Sequence, residues 1–95
     1  MKPRKSKDIK NVLMGKGFLL NPEKHHHQFF YLYINGKKQH IHTYFSHGIK
    51  EYGDSLMSQL KKQLKFKDVK KAEDFFDCPL SFEDYVKMLR DEGEL

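Results

Sequence analysis

Ninety-five residues suffice for one domain, because a second hydrophobic core would leave each half unable to bury enough apolar surface against its chain entropy. A composition that is 38% hydrophobic, with 8 Phe and 5 Tyr, excludes a disordered tail, and a 33% charged fraction predicts a well-solvated surface. Lys and Arg outnumber Asp and Glu by 18 to 13, for a formal charge of +5, which favours polyanionic partners without identifying one.

Cys78 is the only cysteine, so neither an intramolecular disulfide nor a thiolate zinc cluster can be assembled from one chain. Lying just before a proline in a helix break, it is expected to be a small buried side chain. No signal-like apolar stretch follows the charged MKPRKSKDIK, and no run approaches the ~20 apolar residues of a membrane span. The expectation is a cytoplasmic protein that does not associate with membranes.

In chain order, Ser6 reads as an N-cap for a short amphipathic helix carrying Ile9, Val12 and Leu13 and stopping at Gly15 or Gly17. Phe18-Leu19-Leu20 reads as a first strand, ended by Asn21-Pro22. Gln28 to Ile34 is dense in aromatic and branched residues, Asn35-Gly36 suits a two-residue type I′ turn, and Gln39 to Phe45 returns as a strand, which together predict a β-hairpin. A two-residue turn pairs Phe30 with Ile41, Leu32 with Gln39, Tyr31 with His40 and His27 with Tyr44. Parity then puts Phe30, Leu32, Ile34, Ile41 and Phe45 on the core face, and His27, Phe29, Tyr31, Tyr33, Lys38, His40, His42 and Tyr44 on the other. Asp54-Ser55 can cap a helix with the stripe Leu56, Met57, Leu60 and Leu64 beside Lys61, Lys62 and Lys65. Phe66 to Cys78 predicts a further helix, and Ser81-Phe82-Glu83-Asp84 opens a last one in a capping-box pattern, packing Phe82, Tyr85, Val86 and Leu89.

The fold expected is therefore α+β: α-β-β-β-α with a three-stranded antiparallel sheet covered by helices, followed by a C-terminal helical extension, all in a single domain over residues 1–95. Gly17-Phe18 after the first helix, His27 in HHHQFFYLY, the turn with Gly36-Lys37-Lys38, and Ser46-His47-Gly48 before a basic amphipathic helix resemble the HicA family of toxins from type II toxin-antitoxin systems. The resemblance covers residues 6–66 and leaves 67–95 as the extension. It implies a double-stranded RNA-binding-domain-like fold, an mRNA interferase (endoribonuclease) activity, a catalytic histidine at the start of the second strand, and neutralisation by a HicB-like antitoxin. Carried over, the catalytic residue is His27. His26 is the alternative, because Glu23-Lys24-His25-His26 stands where many members have a Gly-Ser or Gly-Asn pair before the histidine.

The chemistry suits those residues. RNA self-cleavage through the 2′-OH needs only a base and an acid, and imidazole serves as either near neutral pH without a metal or other cofactor. In the predicted register His42 lies diagonal to His27 and is the candidate partner acid. Lys16, Lys24, Lys37, Lys38, Lys61, Lys62 and Lys65 are candidate phosphate contacts, or else an ordinary solvated surface. Phe29, Tyr31, Tyr33 and Tyr44 could stack on bases, but packing beneath the C-terminal helix or an antitoxin is favoured, which makes them candidate partner-interface residues. A metal site built from the histidines is not expected, since no acidic or cysteine ligand accompanies them at suitable spacing. The rival to an enzyme is a non-catalytic RNA-binding or protein-interaction module of the same fold.

Overall fold

The computed structural model describes residues 1–24 and 27–95. Their order is β1 (Arg4–Lys5), α1 (Ser6–Gly15), β2 (Phe18–Lys24), β3 (His27–Ile34), β4 (Lys37–Ser46), β5 (Glu51–Tyr52), α2 (Asp54–Gln63), α3 (Val69–Asp77) and α4 (Phe82–Asp91). The class is α+β, with an antiparallel sheet in the order β2-β3-β4 and a separate two-stranded pair, β1 with β5.

The central hairpin forms on the turn its sequence dictates. Asn35 and Gly36 take φ of 52° and 77°, the left-handed pair a type I′ turn requires. Next to the turn the expected partners hold, Tyr33 with Lys38 and Ile34 with Lys37. An irregularity between Tyr31 and Tyr33 then advances the pairing by two residues, so Tyr31 faces His42, Phe30 faces Thr43, Phe29 faces Tyr44 and His27 faces Ser46. The expected pairs Phe30–Ile41, Tyr31–His40 and His27–Tyr44 are therefore replaced. Because side chains alternate with period two, a two-residue shift changes partners but leaves every residue on its own face. Phe30, Leu32, Ile41 and Phe45 are accordingly buried, with Ile34 packed against them. Strand β2 runs on past the expected stop at Asn21-Pro22 as far as Lys24, which a proline tolerates because β2 is an edge strand.

Helix α1 buries Ile9 and Leu13, one turn apart, and begins at Ser6. Ser6 is not its cap. Lys5 occupies the N-cap position, while the buried Ser6 hydroxyl donates to the Ile49 carbonyl at 2.7 Å and its N–H donates to the Lys50 carbonyl at 2.9 Å. These bonds tie the start of α1 to the segment after the hairpin, beside the β1–β5 pair. Helix α2 buries Met57 and Leu60, and Leu64 beyond its last turn continues the stripe. Helix α3 starts at Val69, later than the expected Phe66, because the Asp68 carboxylate caps the Lys70 N–H at 2.8 Å. Helix α4 opens with the full capping box between Ser81 and Asp84 and buries Tyr85, Val86, Met88 and Leu89. Cys78 is exposed, against expectation: it takes a left-handed conformation (φ 83°) at the α3 C-cap, which turns it away from the core.

The C-terminal helices join the same hydrophobic cluster as the sheet, and three consecutive residues, Lys16 to Phe18, contact them. The Lys16 ammonium donates to the Leu80 carbonyl at 2.6 Å and to the Phe75 carbonyl, and sits 4.7 Å from the centroid of the Phe75 ring. Gly17, at φ 92°, lies against the Phe82 ring. Phe18 is fully buried, with its ring 6.1 Å from that of Tyr85, whose hydroxyl donates to the Leu64 carbonyl at 2.8 Å. At the other edge, the Arg4 guanidinium meets Asp77 at 2.8 Å and Glu73 at 3.3 Å on α3, and holds the Asp77 carboxyl below its usual range. All of this packing lies on the sheet face that carries Phe30 and Leu32.

Two outcomes follow for stability. A Cβ on Gly17 would fall 2.5 Å and 2.7 Å from Phe82 ring carbons at a φ that L residues avoid, so Gly17→Ala should cost at least about 2 kcal/mol. That corresponds to a fall in melting temperature of roughly 10 °C, read by circular dichroism. Burial pushes the Tyr52 hydroxyl up to about 12, with Tyr44 adding to the rise. A pKa raised in the folded state means that stability is whole below the unfolded value near ~10 and falls as pH climbs toward about 12, by roughly 2–3 kcal/mol. Tyr85 is raised for the same reason and adds to the loss, whereas Lys16, lowered by desolvation, acts oppositely as pH approaches 10.5. Tyr52→Phe should flatten the decline in melting temperature between pH 10 and 12.

Candidate functional site: the open face of the sheet

Among the described residues no helix covers the other face of the sheet. Alternation along β3 and β4 sends to it His27, Phe29, Tyr31, Tyr33, His42 and Tyr44, all half-buried, with Lys38 and His40 exposed at its rim. From the neighbouring edge strand Leu19, paired with Tyr31 and 54% exposed, extends the apolar surface. The rings partly bury one another. Phe29 lies 5.6 Å from Tyr44, 6.5 Å from Tyr31 and 6.2 Å from His42, centroid to centroid. Tyr31 and His42 stack at 4.7 Å with their planes 20° apart, and the Lys38 ammonium sits 4.0 Å from the centre of the Tyr31 ring. The result is a ring-paved surface with cationic groups at its margin, an arrangement suited to flat π-systems carrying negative charge.

His27 occupies one end of this surface. Its ring meets the Tyr44 ring edge-on at 5.0 Å and that of Phe29 at 6.2 Å, and its Nδ1 lies 3.2 Å from the Ser46 hydroxyl oxygen. A hydroxyl can donate or accept, so Ser46 orients the imidazole without fixing its tautomer, and Nε2 can present either a lone pair or a proton. His42 differs. Its Nδ1 lies 2.9 Å from the His40 carbonyl, which can only accept, so Nδ1 donates and the neutral ring leaves Nε2 as an acceptor.

The structure brings His27, Tyr44 and Phe29 together and adds Ser46, which pairing by sequence alone had not placed opposite His27. It separates the expected histidine pair. His42 faces Tyr31, four residues from His27 along β3, or about 13 Å at the rise of a strand. The cause is the register shift, so His42 is not placed as a partner acid. Lys16 is not a surface residue: it is 8% exposed and engaged by Phe75 and Leu80, which removes it from the candidate phosphate contacts. Lys37 and Lys38 lie at the turn, at the far end of the hairpin from His27, and Lys61 and Lys62 lie on α2, across the sheet from its face. Lys24 is adjacent to His27 by strand pairing, and His26 lies outside the described residues. Phe29, Tyr31, Tyr33 and Tyr44 do not pack beneath the C-terminal helices, because those helices are held on the opposite face by Lys16, Gly17 and Phe18.

Comparison of the chain with protein-family models, with curated proteins and with solved structures returned no match.

Proposed function

We propose that the open face of the sheet binds RNA and that His27 cleaves it, as the resemblance to HicA toxins implies. The observation that carries this reading is the placement of His27 at the end of an uncovered aromatic surface, oriented by Ser46 with its Nε2 left to engage a substrate. Bases stacked on Phe29 and Tyr44, the two rings that meet His27, would bring the backbone alongside the imidazole. His27 takes the 2′-hydroxyl proton while O2′ attacks phosphorus. The P–O5′ bond breaks, water protonates the leaving oxygen, and a 2′,3′-cyclic phosphate remains. This chemistry requires no metal, and a positioned imidazole contributes ~10²–10⁴-fold. A HicB-like antitoxin seated on the same aromatic surface would mask His27 directly, with no distant conformational change.

His27→Ala should abolish RNA cleavage, and growth arrest on expression, with circular dichroism and melting temperature nearly unchanged. Cleavage at the wild-type rate in that variant would remove His27 from the reaction. Activity should persist in EDTA, and RNA methylated at the 2′-oxygen should stay intact. Loss in EDTA with rescue by a divalent ion would replace this mechanism with a metal-dependent one.

The second reading, a module of the same fold that binds RNA without cleaving it, draws on the Lys38–Tyr31–His42 stack, which offers a base platform remote from His27. RNA retained at low salt by the wild-type protein, with no cleavage products on prolonged incubation, would favour it over the enzyme.

A further inference from the structure

The charge of this chain is divided along its length. Residues 1–66 carry 13 Lys and Arg against 4 Asp and Glu, while residues 67–95 carry 5 against 9, so the first part holds +9 and the second −4. Within the extension, Lys67, Lys70 and Lys87 each have a carboxylate partner, Glu92, Asp74 and Asp91. The N-terminal lysines form a different arrangement. Between the first turns of α1 and the segment that follows the hairpin lies a cleft of about 480 Å³, lined by Lys5, Ser6, Lys7, Lys10, Ile49, Lys50 and Glu51. Lys5, Lys7 and Lys50 are exposed, and no carboxylate is paired with them among the described residues. Lys10 forms the wall toward the sheet, donating to the Gln28 side-chain oxygen at 2.7 Å with its ammonium 5.1 Å from the centre of the Phe45 ring. Among the described residues Glu51 is the one acidic group that lines the cleft, so its walls carry a net positive charge.

The position of the cleft gives this charge a role. Gln28, which holds Lys10, follows His27 in sequence, and Ser46, which orients His27, is three residues before Ile49 on the cleft's other wall. Three residues of chain span about 10 Å, within the length of one short oligonucleotide strand. The Ser6 bonds to Ile49 and Lys50 hold the two walls together, so the cleft is built by the fold and not by adaptable side chains alone.

We infer that this lysine-lined cleft is a second, phosphate-binding subsite, which takes the sugar-phosphate backbone of the same RNA strand beyond the nucleotide at His27. The inference rests on the RNA reading above and adds a site to it. Unpaired lysines in a preformed concavity gain affinity by releasing counterions from phosphates, and each contact appears as salt dependence. The subsite supplies position and not sequence selectivity, because phosphates carry no base information.

The test measures binding of a fluorescent single-stranded RNA, methylated at every 2′-oxygen so that it is not cut, between 50 and 300 mM salt. The wild-type protein is compared with Lys7→Gln/Lys50→Gln and with the control Lys67→Gln/Lys87→Gln in the extension, folding being confirmed by circular dichroism. Lys10 is left intact because of its contacts to the sheet. The cleft variant should bind roughly tenfold or more weakly at 0.1 M salt and show a slope of log K on log salt shallower by about 1.4, at ~0.7 per lost contact on a single strand. The control should bind like the wild type. Tight wild-type binding with an unchanged slope in the cleft variant, or an equal loss in the control, overturns the subsite and leaves the RNA reading standing. No wild-type binding even at 50 mM salt overturns both, and a complex formed only with an acidic protein partner would assign the lysines to that interface.

Discussion

The arrangement of this protein depends on the turn between α1 and β2. Lys16, Gly17 and Phe18 each contact the C-terminal helices: one through charge-assisted bonds to two carbonyls, one by lacking a side chain where the Phe82 ring lies, and one by burying its own ring beside Tyr85. Hydrogen bonds from an ammonium are among the stronger single contacts in a folded chain, and leaving this buried ammonium unpaired would be costly for both the cation and the carbonyls. Because the anchor lies at the start of the edge strand, α3 and α4 are committed to the face that α1 and α2 already cover. The opposite face keeps its aromatic residues open to a ligand.

That commitment explains why the surface can be so apolar at its centre. Phe29, Tyr31, His42 and Tyr44 shield one another, so each ring is half-buried although no helix of the described residues lies over them. Mutual shielding lowers the penalty of displaying aromatic area to water, and Lys38 over Tyr31 places a cation at its edge. His27 and Ser46 sit where this paving meets the start of β3 and the end of β4. On the proposed reading, cleavage and recognition share one sheet, with the lysine-rich cleft around its end and the acidic helical extension behind it. Such a charge division orients a polyanion toward the basic part of the molecule before any contact forms.

The β-irregularity between Tyr31 and Tyr33 matters as much for what it preserves as for what it changes. A slip of one residue would have sent Phe30 and Leu32 outward and dissolved the core, whereas the shift of two leaves both faces intact. Only cross-strand neighbours are exchanged. His27 acquires Ser46 as its partner and loses the proximity to His42 that an unbroken ladder implies.

What the sequence determined by itself was the part governed by short-range rules. Asn35-Gly36 imposed the left-handed turn, alternation in QFFYLYI and IHTYF separated the core residues from the displayed ones, and Ser81 with Asp84 specified the start of α4. The class and the order of helices and strands follow from those patterns. Only the tertiary structure decided that Lys16 is buried, since an isolated lysine after a helix carries no local mark of the carbonyls it will meet some sixty residues later. The same holds for the β1–β5 pair, two residues on each side and too short for any periodicity, and for Cys78, turned outward by a left-handed cap. Register, burial of a charged group and the convergence of distant lysines on one cleft all depend on long-range contacts, which residue spacing does not encode.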